Sequence, residues 1–206
     1  MNKSQVILFG NAEVPSNALA IQAIDNADKI ICIDGGVDNL IKLGYEPSYI
    51  LGDLDSLAFD PEYYKCEFEI LEDQSKSDLE KALEWCVKNK IKSVILVGFS
   101  GLRDDHNLAV LLLLKMFSSK ISITLITNFC TIYCNNGKAR FNVSPGQIIS
   151  IIASEPKTLI STYGLKYKLN NAILASPGHG ISNIAINNSI EIESNDWIWL
   201  FLNHNK

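Results

Sequence analysis

The chain has 206 residues, 47% of them hydrophobic, and carries 18 basic against 23 acidic side chains. A chain of this length buries roughly 70% of its extended surface on folding, enough for one large or two small domains, which excludes a disordered tail or linker. The net charge of −5 argues against a nucleic-acid binder, which would present a basic face. The charge is unevenly spread: residues 1–110 hold 19 acids and 10 bases, residues 111–206 hold 4 acids and 8 bases.

From the N-terminus, QVILF (5–9) reads as a strand and Ser16 to Ala27 as a helix. The opening apolar run is too short for a signal-peptide core, and LAVLLLLKMF is too short to span a bilayer. Five unevenly spaced cysteines fit reduced thiols in a cytoplasmic protein better than a disulfide framework or zinc site. KIICI (29–33) is a second strand ending in Asp34-Gly35-Gly36, with a short helix through Leu40, Ile41 and Leu43 after it. YIL (49–51) is a third strand running into Gly52-Asp53-Leu54-Asp55-Ser56, and FEI (68–70) a fourth.

The spacing of Leu79, Ala82, Leu83, Cys86 and Val87 predicts a helix over 77–89, with Ser77 and Glu80 in a capping-box pattern. VILVG (94–98) and ISITLIT (121–127) read as strands. Between them a helix capped by Asp104 or Asp105 runs to about Phe117, apolar enough to be covered on several sides. Apolar strands alternating with helices predict an open parallel sheet covered by helices on both faces.

Beyond residue 130 the period changes. Asn136-Gly137 signals a hairpin between two strands, Pro145-Gly146 another turn, and QIISIIA (147–153) a strand. KYKL, ILAS, NIAI, SIEI and WIWLFL continue as separate short runs. The expected organisation is an α/β domain over 1–132 and an all-β, sandwich-like domain over 133–206. WIWLFL closes the β core or flanks a subunit interface.

Ligands of open α/β sheets sit beyond the carboxyl ends of the strands, and four acidic segments fall there: DGGVDN, GDLDS, DQSKSD and GLRDDH. Asp53 and Asp55, one residue apart beside a glycine, suit a shared hard cation or a polar turn. Magnesium takes oxygen ligands, commonly one or two carboxylates plus substrate phosphates. Asp34 with Gly35 and Gly36 suits metal, ribose or a plain turn, and neither the dinucleotide fingerprint nor the P-loop pattern occurs. Asp78 starts a helix, where a carboxylate is favoured in any case. Lys76 serves a phosphate or solvent, Arg103 grips a phosphate or pairs with Asp104 or Asp105, and His106 begins a helix. Together, a carboxylate cluster and an arginine are what magnesium-dependent phosphoryl transfer requires.

The ordered set DGGVDNLIKLG, GDLDS, Q-x-x-S-D-LEKAL and G-x-R-x-DH resembles the thiamine pyrophosphokinase (thiamine diphosphokinase) family. The resemblance continues more weakly through Thr162–Tyr167 and Gly180–Asn183. It implies a cytoplasmic homodimer that moves diphosphate from ATP to thiamine, giving thiamine diphosphate and AMP, with no membrane or nucleic-acid partner. In that family the N-terminal domain binds magnesium and nucleotide, the β domain contributes to the dimer, and thiamine lies in a cleft between subunits. The resemblance assigns magnesium to Asp53, Asp55, Asp78 and Asp105, these acids and Arg103 also forming the catalytic set. It assigns nucleotide contacts to Asp34, Gly35, Gly36, Gln74, Lys76, Ser77, Arg103 and His106, and thiamine contacts to Tyr167, Ser182 and Asn183. Asp78 and Asp105 are its candidates for orienting the alcohol or taking its proton. Ser75 stands where the family commonly has an acid, which removes one expected carboxylate. A diphosphokinase for another hydroxymethyl heterocycle such as a pterin, or a non-catalytic thiamine or nucleotide sensor, are the competing readings.

Overall fold

The computed structural model of the chain describes residues 4–53 and 55–204. Two compact units meet at Asn128 and Phe129, a few residues before the expected junction at 132/133. The expected junction falls inside the strand Cys130–Asn142, where the change of period begins.

The first unit contains strands β1 (Val6–Phe9), β2 (Lys29–Ile33), β3 (Tyr49–Gly52), β4 (Glu67–Ile70), β5 (Ser93–Val97) and β6 (Ser122–Ile126). Its helices are α1 (Ala18–Asp25), α2 (Gly36–Lys42), α3 (Asp78–Lys88) and α4 (Asp104–Phe117). The sheet runs β6-β5-β1-β2-β3-β4, and every pairing along it is parallel. All four residues of β1 are buried, as a central strand with layers on both faces requires. One core gathers Ile7 and Phe9 with Ile24, Ile30, Val37, Leu40 and Ile50. The chain builds outward from β1 through β2 and β3 to β4, then returns across β1 to add β5 and β6. Loops beyond β1 and β5 therefore diverge at the carboxyl end of the sheet, where open α/β folds form their crevice.

Local chemistry sets the helix starts. Asn17 caps α1, its side chain accepting from Leu19 N at 2.8 Å, and Ser77 caps α3, accepting from Glu80 N at 3.3 Å. Helix α4 departs from expectation. Its N-cap is Arg103, with no side-chain cap; the Asp105 carboxylate turns to Arg103, and Asn107 Oδ1 accepts from Gly101 N at 2.9 Å. Within its unit α4 buries only Val110, Leu114 and Phe117. Leu108, Leu112 and Met116, at i, i+4 and i+8, are 60%, 52% and 48% exposed, because the helix lies on one face of the sheet and turns this stripe outward.

The second unit is all antiparallel: β7 (Cys130–Asn142), β8 (Ile148–Ala153), β9 (Leu159–Tyr163), β10 (Ala172–Ile173), β11 (Asn183–Ile184) and β12 (Ser189–Asn203). Asn136-Gly137 makes no hairpin. Strand β7 runs through it for 13 residues, and SIEI and WIWLFL merge into the 15-residue β12. The physical reason lies in their pairing: the register shifts between Ser194 and Ile198, opposite Gly137 at φ +86°. Glycine there serves a bulge rather than a turn. The bulge also divides β12's other edge, which pairs with β9 up to Ser194 and with β8 from Ile198. The two arms close over Ile149, Ile151, Ile160, Ile190, Ile192, Ile198, Leu200 and Leu202, the sandwich-like core that was expected. Alternation along WIWLFL puts Ile198, Leu200 and Leu202 inside and leaves Trp197, Trp199 and Phe201 half-buried. KYKL is loop.

Candidate active site

At the carboxyl end of the parallel sheet lies a cleft of about 520 Å³, within the range of small-molecule sites. Its walls include Asn11, Asp34, Asp53, Asp55, Asp78 and Arg103. Ser77 and His106 also face it, so segments distant in sequence converge as the strand order predicts.

Three carboxylates meet there. Asp34, Asp53 and Asp78 each offer an oxygen, and these oxygens lie within 4.8 Å of one another. Asp34 follows β2, is 7% exposed, and has φ +45°, with its N–H donating to Leu51 O at 3.0 Å. Asp53 follows β3, and Gln74 Nε2 donates to its Oδ2 at 3.1 Å. That bond, with smaller help from the Lys81 charge, holds the Asp53 carboxyl below the usual range against partial burial. Its neighbour Asp55 moves the other way: hydrogen bonding to Asp53 and repulsion by it raise the Asp55 carboxyl. Asp55 is exposed on the cleft wall, outside the triad.

Asp78 opens α3, and Lys81, one turn on, sends its Nζ to Asp78 Oδ1 at 2.6 Å and to Leu71 O at 3.1 Å. Lys81 is 5% exposed. Burial alone would lower its pKa, but the Asp78 ion pair and the fields of Asp53 and Asp34 outweigh that, and the net direction is upward.

Asp105 stands apart from the triad. Both of its oxygens accept from Arg103, at 3.1 Å from Nε and 2.6 Å from Nη2, and His106 N donates to Oδ1 at 3.0 Å. The guanidinium accordingly holds the Asp105 carboxyl down at about 2. Both partners are more than 60% exposed, so the pair is an adjustable fixture of the rim. Asp104, the alternative partner, is exposed.

Of the other residues singled out, Gly35 donates its N–H to Ser56 Oγ at 2.9 Å, tying the start of α2 to the GDLDS loop. Lys76 faces away from the cleft, bridging Glu84 at 2.8 Å and Asp73 at 3.4 Å. Ser75, in place of an acid, donates from both N–H and Oγ to Asp73 Oδ1 at 3.0 and 2.6 Å. Neither Ser75 nor Asp73 lines the cleft.

In the second unit, Tyr167 and Ser182 are exposed while Asn183 is 9% exposed. Asn183 works as a clamp: its Oδ1 accepts from Tyr167 N at 3.0 Å and its Nδ2 donates to Tyr167 O at 2.7 Å. Lys166 Nζ sits 5.4 Å above the Tyr167 ring. Ser182, at φ +59°, donates its N–H to Ser150 Oγ at 3.1 Å.

Sequence reasoning missed Lys81 and Asn11. Lys81 carried a signal, a lysine at i+3 from Asp78 among the buried positions of an amphipathic helix. Asn11, whose Oδ1 accepts from Asn39 Nδ2 at 3.0 Å, sits in a loop with no distinctive pattern.

The sequence matches two family models, described as thiamin pyrophosphokinase, catalytic domain, over residues 20–125 and thiamin pyrophosphokinase, vitamin B1 binding domain, over 130–199. It is similar to thiamine pyrophosphokinase 1 of rice, Oryza sativa subsp. japonica, with 26% identity over 209 residues, covering 85% of this chain and 79% of the relative. It is also similar to thiamin pyrophosphokinase 1 of Caenorhabditis elegans, 28% identical over 162 residues, covering 70% of this chain and 65% of the relative. Among solved structures, thiamin pyrophosphokinase from Candida albicans superposes with a TM-score of 0.84 at 17% identity, covering 98% of this chain and 90% of that one. The Bacillus subtilis thiamine pyrophosphokinase gives 0.81 at 20% identity, covering 98% and 100%. At these identities the superpositions establish the fold, while the two family models between them account for most of the chain. The chain belongs to the thiamin pyrophosphokinase family.

Proposed function

We propose that Asp34, Asp53 and Asp78 hold the magnesium of a magnesium–ATP complex in the cleft of the first unit, and that Arg103 grips its polyphosphate. The activity itself follows from family membership: the chain is a thiamine diphosphokinase, which transfers diphosphate from the co-substrate ATP to thiamine and releases AMP. The observation that carries the magnesium reading is the convergence of three carboxylate oxygens within 4.8 Å. The donor set is all oxygen and anionic, which fits a hard divalent cation. When bound, magnesium neutralises phosphate oxygens and draws charge from the phosphorus under attack.

The chain's own residues supply the rest. The thiamine hydroxyl attacks the β-phosphorus in line; an oxygen–phosphorus bond to thiamine forms, the bond to the α-phosphate oxygen breaks, and AMP leaves. Arg103 exchanges one or both Asp105 oxygens for phosphate oxygens, its planar fork suiting either. Asp78 is paired with Lys81, and Asp55, exposed on the cleft wall and made more basic by Asp53, takes the hydroxyl proton. Tyr167 and Ser182 contact thiamine, and Asn183 holds the backbone that presents Tyr167.

The magnesium reading is tested by titrating magnesium into the full chain with ATP, by calorimetry, beside Asp53→Asn and Asp34→Asn. Weaker magnesium–ATP binding in both variants supports the triad; parental affinity in both removes it. The chain acts as a homodimer in the cytoplasm; the pairing is supported by the outward stripe of Leu108, Leu112 and Met116, since apolar patches of this kind mark association surfaces. No helix among the described residues is long and apolar enough to cross a membrane.

A further inference from the structure

We infer that Lys81 is a resident counter-charge of the acidic cluster, a positioning residue that offsets repulsion among the carboxylates of the cleft and keeps Asp78 aimed when magnesium–ATP is bound. The inference rests on the magnesium reading above for its second half only. Lysine is among the residues least often fully buried, and a buried ammonium without partners is costly. Yet Lys81 is 5% exposed, on a helix whose other inward residues are Leu79, Ala82, Leu83 and Cys86.

Both of its partners belong to the site or its frame. Nζ donates to Asp78 Oδ1 at 2.6 Å, and the Asp78 side chain is 45% exposed on the cleft side. Its second acceptor, Leu71 O at 3.1 Å, opens the segment that carries Gln74, the donor to Asp53. One ammonium thus joins the first turn of α3 to the chain leaving β4, and each of these carries a group of the cleft.

Charge gives the second half of the argument. Three carboxylates with oxygens within 4.8 Å repel one another, and a nearby cation offsets this. Arg103 is engaged by Asp105, and Lys76 by Glu84 and Asp73. The charges of Asp78, Asp53 and Asp34 all act on Lys81, that of Asp78 most strongly. It supplies positive charge from the protein side, leaving the open side of the cleft to the metal.

The test is thermal unfolding of the full chain, in EDTA and in excess magnesium chloride, for the parent, Lys81→Met and Asp78→Asn/Lys81→Met. Methionine keeps the buried stem and removes the charge. In EDTA, Lys81→Met lowers Tm by roughly 5 °C or more, as breaking one side of a buried pair does, and the double variant regains at least half of that loss. Magnesium raises Tm more in Lys81→Met than in the parent, and kcat falls while KM for thiamine holds. Parental Tm for Lys81→Met in EDTA, or a double variant no more stable than the single, overturns the inference. Should Lys81→Met not fold, a folded double variant supports the counter-charge and an unfolded one overturns it. If magnesium shifts no variant while the EDTA loss and rescue remain, the magnesium reading fails and the counter-charge stands.

Discussion

The carboxylate of Asp34 rests against the Cα of Gly52, so closely that a Cβ at position 52 would overlap its Oδ1. Gly52 ends β3 at φ +153°, and Asp34 directly follows the neighbouring strand β2. The absence of a side chain at 52 is what lets Asp34 reach Asp53 and Asp78. Gly52→Ala therefore pushes the Asp34 carboxylate out of the triad. We expect kcat to fall roughly 10²-fold, the scale of a displacement of about 1 Å at a reacting centre. Steady-state kinetics beside a thermal melt checks it, and parental kcat would show that Asp34 has room to move.

The Arg103–Asp105 pair predicts a pH signature. The folded Asp105 carboxyl is depressed to about 2, so its contribution to stability is present above the ordinary aspartate range and is lost as pH falls through about 2. Both groups are exposed, so that contribution is small, and titration is the better readout. In Arg103→Ala the Asp105 carboxyl titrates at higher pH, as carbon-detected NMR would show, and kcat falls roughly 10²- to 10³-fold through loss of a phosphate donor. An unmoved Asp105 would mean that the guanidinium is not the cause of its low pKa.

Asn183→Ala removes two hydrogen bonds to the Tyr167 backbone and leaves a part-buried N–H and C=O without that partner. A stability loss of about 1–3 kcal/mol is expected, visible as a lower Tm. If the clamp presents Tyr167 to thiamine, KM for thiamine rises while KM for ATP stays near the parental value. Equal increases in both would place the effect elsewhere.

Ser75→Asp restores the acid usual in the family. Because Ser75 folds back on Asp73 and lies outside the cleft wall, the substitution changes kcat by no more than about twofold, the range of ordinary surface changes. A large gain measured at low magnesium would show instead that this position reaches the metal.

These expectations separate what the sequence carried from what only three dimensions supply. Alternation of apolar strands with capped helices made the parallel sheet legible, and placed Asp34, Asp53 and Asp78 at its carboxyl edge. The β unit was legible as strands but not in its joints, because Asn136-Gly137 has the same composition in a hairpin turn and in a bulge. The stripe of α4 was misread because leucine spacing gives the apolar face but not whether its own unit covers it. Within the cleft, spacing alone could not divide Asp55 and Asp105 from the triad: that depends on Gln74 reaching Asp53 and Arg103 turning to Asp105. Lys81 was hidden by its type, since a helical lysine ordinarily faces water.

The most direct test of the account is one reaction containing the full chain, ATP, magnesium and thiamine, with AMP and thiamine diphosphate quantified together. Equal amounts of the two products, abolished by EDTA and restored by excess magnesium, are the predicted result. ADP or free phosphate in place of AMP, or turnover indifferent to EDTA, would contradict it.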